Sequence, residues 1–209
     1  MRTIRRIWHL LLPVALSLVL VGCDSVFDNP LVLSSQPLYA DDADVSFDPA
    51  LLGTWIDAEG DTRFAFEKEG ENAYSLIVAE INTSDGAESE GAFEAHLVRL
   101  GAFTFLDFYP RTPKEADDFY KYHLLRVHSF AHTWWEGNEL HMALFDSSWL
   151  KKQIEEHIVD TDSREVGDSI LLTAPTREVQ DLVYRFVADE LAFSGPLVLN
   201  RVAKNDPKR

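Results

Sequence analysis

Phe47-Asp48-Pro49-Ala50-Leu51-Leu52-Gly53-Thr54-Trp55-Ile56 is the stretch on which the fold reading turns. Asp48 can cap one short helical turn, and Pro49 suits a first helical position because it has no N–H to leave unpaired. Gly53-Thr54-Trp55-Ile56 then starts a strand. From there to residue 145 the pattern is largely period two. Phe64 and Phe66 alternate with Arg63, Ala65 and Glu67, and Tyr74, Leu76 and Val78 alternate with Ser75, Ile77 and Ala79. Turns fall at Glu59-Gly60-Asp61, Glu69-Gly70-Glu71 and Ser84-Asp85-Gly86.

The next strand, 92–100, changes phase. Phe93, Ala95 and Leu97 share one parity, Val98 and Leu100 the other, which predicts a β-bulge near Leu97-Val98. Residues 103–109 are apolar on both faces. Thr112-Pro113-Lys114-Glu115 predicts a capped helix ending near Tyr120, placed either over a barrel mouth or as a plain connection. Residues 122–135 read as a long strand, Glu136-Gly137-Asn138 as a hairpin turn and 139–145 as its partner. The period then becomes helical. Trp149, Leu150, Gln153, Ile154, His157 and Ile158 share a face over 147–158, with Ser147 as cap. Residues 159–168 read as a polar loop, 169–173 as a short strand, and 175–191 as an amphipathic helix striped by Val179, Leu182, Val183, Phe186 and Val187. Gly195-Pro196 leads into a last strand, 197–202.

The expected fold class is therefore mainly β (α+β): an antiparallel barrel or half-barrel with two to three flanking helices, or another antiparallel sheet with helices beside it. The expected organisation is an export signal over 1–22, a flexible tether over 23–46, one β-rich domain over 47–203 and a loose tail over 204–209.

Gly53-Thr54-Trp55, after Phe47-Asp48 and a helical turn, resembles the opening motif of lipocalins and the wider calycin barrels. The resemblance implies that Trp55 lies under the barrel floor and that Arg201, on the last strand, packs over it as a barrel-closing pair through a cation–π contact. The spacing from Phe47-Asp48 to Gly53 is one residue shorter than the usual lipocalin form. The Thr-Asp pair of the middle lipocalin motif has no clear counterpart.

The front of the chain carries an address. Arg2, Arg5 and Arg6 precede an apolar run, 7–21, broken by His9, Pro13 and Ser17, which is too short to span a bilayer comfortably. Leu20-Val21-Gly22-Cys23 resembles the lipobox of bacterial lipoproteins. That resemblance implies diacylglycerol on the Cys23 thiol, cleavage before it, and a lipid-anchored protein such as those carrying palmitate at the N-terminus. An ordinary secretory signal, or an uncut anchor helix, is the plainer reading. Arg5-Arg6 raises twin-arginine export, which the residues after the pair fit poorly. The implied location is the bacterial cell envelope, on a periplasmic or extracytoplasmic face. Asp24 resembles an inner-membrane retention signal in some Gram-negative bacteria and leaves inner and outer membrane open.

The only cysteine of the chain is Cys23, so the domain must hold by its core without disulfides. Cleavage before Cys23 removes three arginines and no acid, taking the formal net charge from −16 to −19. Such a surface repels nucleic acid and anionic headgroups, which leaves the N-terminal lipid to hold the membrane.

Catalytic signatures are missing from the sequence. There is no Gly-x-Ser-x-Gly, no His-Glu-x-x-His, no glycine-rich phosphate loop and no spare thiol. No catalytic residue, cofactor or metal is assigned, and the chain reads as a non-enzyme. His96, His123, His128, His132 and His141 fall in or near strands. His128-x-x-x-His132 would chelate zinc on a helix. On a strand the two stand about 13 Å apart at roughly 3.3 Å per residue, too far for one ion held by bonds of about 2 Å. Asp107, in an apolar strand, is a perturbed carboxylate in a cavity, a hydrogen-bonded structural one, or one facing solvent. Trp134 and Trp135 point to opposite faces, so at most one lines a cavity. Two functions follow: a module binding a small apolar or amphipathic ligand, or a structural lipoprotein with an envelope protein as partner and no cavity. An empty, apolar interior separates them.

Overall fold

The computed structural model describes residues 30–81 and 86–203. Eight of its strands form a closed antiparallel barrel. They are β3 (Gly53–Ile56), β4 (Thr62–Glu69), β5 (Ala73–Ile81), β6 (Glu88–Leu100), β7 (Phe103–Pro110), β8 (His128–Glu136), β9 (Glu139–Phe145) and β12 (Phe193–Arg201). β3 to β9 follow one another as a meander, and β12 pairs with both β9 and β3 to shut the ring. Closure removes the edges that an open sheet would leave unpaired.

Helices α2 (Ser147–Glu155) and α3 (Thr176–Phe186), with β10 (Ser163–Val166) and β11 (Ser169–Leu172) between them, occupy the connection from β9 to β12. The protein consequently has two cores. Inside the barrel, Trp55, Phe66, Tyr74, Leu76, Leu106 and Leu140 pack together. On the outer wall, Phe105, Phe130 and Phe145 pack under Leu150 of α2 and Val179 and Val183 of α3. The stripe on α3 is buried because this outer wall is itself apolar.

The second core explains where sequence periodicity misled. The bulge expected at Leu97-Val98 is absent: β6 runs opposite β7 in unbroken register from Phe93–Pro110 to Leu100–Phe103. Leu97 faces the interior and Val98 the outer core, so both are buried on one regular strand. A real irregularity lies in β12, between Ser194 and Leu197. There the strand continues through Gly195-Pro196 instead of starting after it, and one extra residue switches it from the outer core at Phe193 to the interior at Leu197.

The expected tether is corrected over residues 30–46, where the described chain begins. Residues 30–46 are a packed strap, with β1 (Val32–Ser34) between β8 and β11 and β2 (Val45–Ser46) on β6. Val32 and Leu38 are fully buried, which a solvated tether would not allow. The helix expected from Thr112 is only α1 (Asp118–Lys121), capped by Asp117, and it buries no residue. It is a connection and no plug. β8 begins at His128, six residues later than expected, because Tyr122 and Leu125 project into solvent with no strand beside them. The loop expected at 159–168 contains β10, paired with β11. The turn at Ser84-Asp85 and the tail 204–209 lie outside the described residues.

Candidate functional site

The strands alternate in direction, so the barrel has two distinct ends. β3 leaves one end at Gly53, and the 70–72, 101–102 and 137–138 turns cluster there. The 57–61 and 111–127 connections lie at the other.

The first end is shut. Asp48 caps the 3-10 turn Pro49–Leu51 by accepting from the Ala50 N–H. Trp55, 1% exposed, donates its indole N–H to the Leu51 carbonyl at 2.9 Å. Arg201, opposite Trp55 in the β12–β3 ladder, holds its guanidinium 4.2 Å from the Trp55 ring centroid. It donates to the carbonyls of Leu52, at 2.6 Å, and Ala50. Gly53 has φ +115°, and a Cβ there would stand 3.2 Å from Arg201 Nη1. Glycine is needed both for the backbone and for the room the arginine takes. Tyr74 completes the floor: its hydroxyl accepts from the Asp48 N–H at 2.6 Å and donates to the Asp48 carbonyl at 3.0 Å. Burial raises its pKa above the ordinary 10.0. Trp55 and Arg201, paired from the sequence, are thus brought together.

Toward the opposite end the interior is not filled. A cavity of ≈ 150 Å³ lies among Phe64, Val78, Phe93 and Phe108 on one side. Ala131, Met142, Leu144 and Leu197 close the other side, and Ser129 contributes the single hydroxyl. Leu31 of the strap also reaches it, from beside Asp146 at the end of β9. The space exists because β8 carries two small residues, Ser129 and Ala131, where its neighbours carry large ones. Nothing on this wall is charged, so the cavity suits hydrocarbon and penalises an ion.

The outer wall holds a buried carboxylate. Asp107 is 0% exposed on the face opposite the cavity. Its Oδ2 accepts from the Leu38 N–H at 2.6 Å, and its Oδ1 lies 2.6 Å from His128 Nδ1. A carboxylate offers only lone pairs, so that nitrogen carries the hydrogen. His128 stacks on Tyr109 at 4.5 Å, and Arg126 covers Tyr109 from 4.7 Å. Of the readings of Asp107, full burial excludes the solvent-facing one and the structure realises the hydrogen-bonded structural one: it pins the strap to the barrel. Its partner His128 was missed because the pairing joins residues on neighbouring strands, which a linear spacing does not record.

His96, opposite Asp107 on β6, packs against Tyr39 at 4.7 Å. Burial lowers the His96 pKa below 6.5, against the opposing pull of Glu94 and Asp107. Burial, then the negative charges of Asp107, Glu94 and Asp42, raises that of Tyr39. His132 shares the outer face with His128 but sits among Phe103, Phe105, Trp134 and Phe193, and burial lowers its pKa too. The two histidines serve different neighbours. Among the described residues, no group of three or more His, Cys, Asp or Glu is placed to hold a metal ion. Trp134 faces the outer core and Trp135 the interior, as their parity requires, and neither lines the cavity.

Cys23, with Leu20, Val21 and Gly22, lies outside the described residues. No helix among the described residues is long and apolar enough to cross a membrane. In comparisons with known proteins, no family model matches the chain, and no curated protein or solved structure matches it.

Proposed function

We propose that this chain is a lipid-anchored envelope lipoprotein whose barrel is calycin-like and binds one slim apolar or amphipathic molecule. The cavity carries the reading: an uncharged space of ≈ 150 Å³ inside a closed barrel, toward the end away from the Trp55–Arg201 floor. Eight-stranded barrels are about the size at which side chains either fill the interior or leave room for one small ligand. A cavity of this volume is large enough for a benzene-sized group. It is below the several hundred Å³ of pockets that enclose drug-sized ligands. The ligand is then a single unbranched alkyl chain or a small ring, its polar head beside Ser129 or beyond the rim. The calycin-like assignment is supported by the meander closed by a final strand, by the 3-10 turn before Gly53-Thr54-Trp55, and by Arg201 over Trp55. The anchor is supported by Leu20-Val21-Gly22-Cys23 behind a short apolar run.

The test is titration of the purified protein with a fluorescent polyene fatty acid, beside an Ala131→Phe variant. The new ring fills the cavity from β8, so saturable binding should be lost while the thermal transition stays near that of the parent. Equal binding by both proteins would place the ligand elsewhere and remove the cavity from the argument. A second reading, a structural lipoprotein that meets an envelope protein, is favoured by the rest of the interior, where Leu76, Leu97, Leu106 and Leu140 are packed without exposure above 2%. No binding by the parent would favour it.

A further inference from the structure

Exposed apolar side chains are not spread evenly. Of the eight large exposed hydrophobic residues among the described ones, four fall within 119–125: Phe119 (73% exposed), Tyr120 (58%), Tyr122 (86%) and Leu125 (78%). Single exposed apolar residues are ordinary, but a cluster on one connection asks for a partner. The run 119–126, Phe-Tyr-Lys-Tyr-His-Leu-Leu-Arg, contains no acid in a chain of net charge −16. These residues sit on the 111–127 connection between β7 and β8, at the cavity end of the barrel.

The start of the described chain lies at that same end. Pro30 accepts from the Ser147 N–H at 3.0 Å, just past the end of β9, and Leu31 lines the cavity. Only residues 24–29 separate Pro30 from Cys23. The seven steps along the chain from Cys23 to Pro30 span at most about 25 Å. A nine-residue barrel strand such as β5 is itself about 30 Å long at 3.3 Å per residue. A bilayer holding Cys23 therefore has the cavity end within reach, while the Trp55 floor is a further strand length away.

We infer that the 119–125 segment docks in the bilayer interface, with Phe119, Tyr122 and Leu125 among the lipid chains and the cavity end turned to the membrane. This rests on the anchored reading proposed above. Aromatic and aliphatic side chains beside a Lys and an Arg are the composition that settles about 5–10 Å into the headgroup boundary. Asp117 and Asp118, beside the segment, would stay in the headgroup water, and the acidic body of the protein disfavours anionic lipid, so the surface is zwitterionic. The consequence for the cavity is direct: an apolar molecule passes between bilayer and barrel without crossing open water.

The experiment uses the full-length lipoprotein, reconstituted in phosphatidylcholine vesicles, with an environment-sensitive fluorophore on Tyr122→Cys. A second variant, Glu71→Cys on a floor turn, carries the same label. Both sites are exposed, so neither change removes core packing. With a nitroxide on the lipid chains, the label at 122 should lose most of its emission and shift to the blue, and the label at 71 should do neither. Emission at 122 unchanged in vesicle-bound protein overturns the docking and leaves the anchor standing. Protection of 122 from a water-borne quencher without lipid quenching reports a protein on the segment, such as a second copy, and also overturns it. Protein that fails to float with the vesicles overturns the anchor and the docking together.

Discussion

The floor and the cavity end belong to one barrel and are built on opposite terms. At the floor, polar groups brought inside find backbone partners: Trp55 at Leu51, four residues away, Tyr74 at Asp48 from β5, and Arg201 at Leu52 and Ala50 from the last strand. Large side chains fill the space, and the arginine roofs the indole. At the other end the side chains are small on β8, the cavity remains, and the wall is completed from outside by Leu31. That leucine belongs to a strap that Asp107 and Gln180 hold against the barrel, Gln180 Nε2 donating to the Leu38 carbonyl at 2.8 Å. The floor grows from a local capped turn that Tyr74 and Arg201 tie to two further strands. The cavity end has no such local nucleus and depends wholly on contacts between distant parts of the chain.

Four perturbations probe this contrast. The largest effect is expected from Trp55→Ala, which empties the floor of its biggest side chain and strips Arg201 of its ring, costing about 4 kcal/mol of unfolding free energy in denaturant melts. A loss under about 1 kcal/mol would mean that the floor is not the keystone of the barrel. Asp107→Ala should come next, at about 3 kcal/mol, because it leaves the Leu38 N–H and His128 without their acceptor. It should also raise amide exchange across residues 31–39 while the floor strands stay protected. Uniform deprotection would break the claim that the strap and the floor are separable.

Arg201→Lys sharpens the floor itself. The charge stays, but the planar fork that reaches two carbonyls and stacks on Trp55 is lost, and a loss of about 1–2 kcal/mol is expected. A lysine variant as stable as the parent would reduce the pair to a charge effect. The smallest effect is expected away from both ends. Burial keeps His132 neutral, its pKa below 6.5, so the unfolded chain takes up a proton there before the folded one does. Stability from this group is therefore present above pH 6.5 and falls as the pH drops toward its folded pKa. His132→Phe, among Phe103, Phe105 and Phe193, should leave the neutral-pH melting temperature close to the parent and flatten its decline on acidification. An unchanged acid slope would assign that decline to other groups, His96 among them.

Much of the barrel was legible because a strand buried on one face writes its pattern in period two. Phe64 and Phe66, Tyr74 and Leu76, and Leu140 and Met142 each announced an inward face that the structure fills. The pattern failed where a second layer covers the outside. On β6, Leu97 and Val98 are both buried, on opposite faces, and a one-sided reading turns that into a bulge. It failed again at residues 30–46, where Asn-Pro-, Ser- and Asp-rich sequence looked like a solvated tether. The few apolar residues there, Val32 and Leu38 above all, are the ones that matter, and they find burial only against strands far along the chain.

By itself the sequence determined the local part of the floor. Asp48, Pro49, Gly53 and Trp55 lie within eight residues, so their capping, backbone and ring chemistry is local and can be read in order. Arg201 joined them through a motif whose two ends stand at the two ends of the domain. The tertiary structure alone decided the strap, the Asp107–His128 pair, the outer core and the cavity. Each depends on which residues from distant strands come to face one another, and on how much space their side chains leave. Volume and register across a closed barrel are sums over the whole ring, and no single stretch of chain contains them.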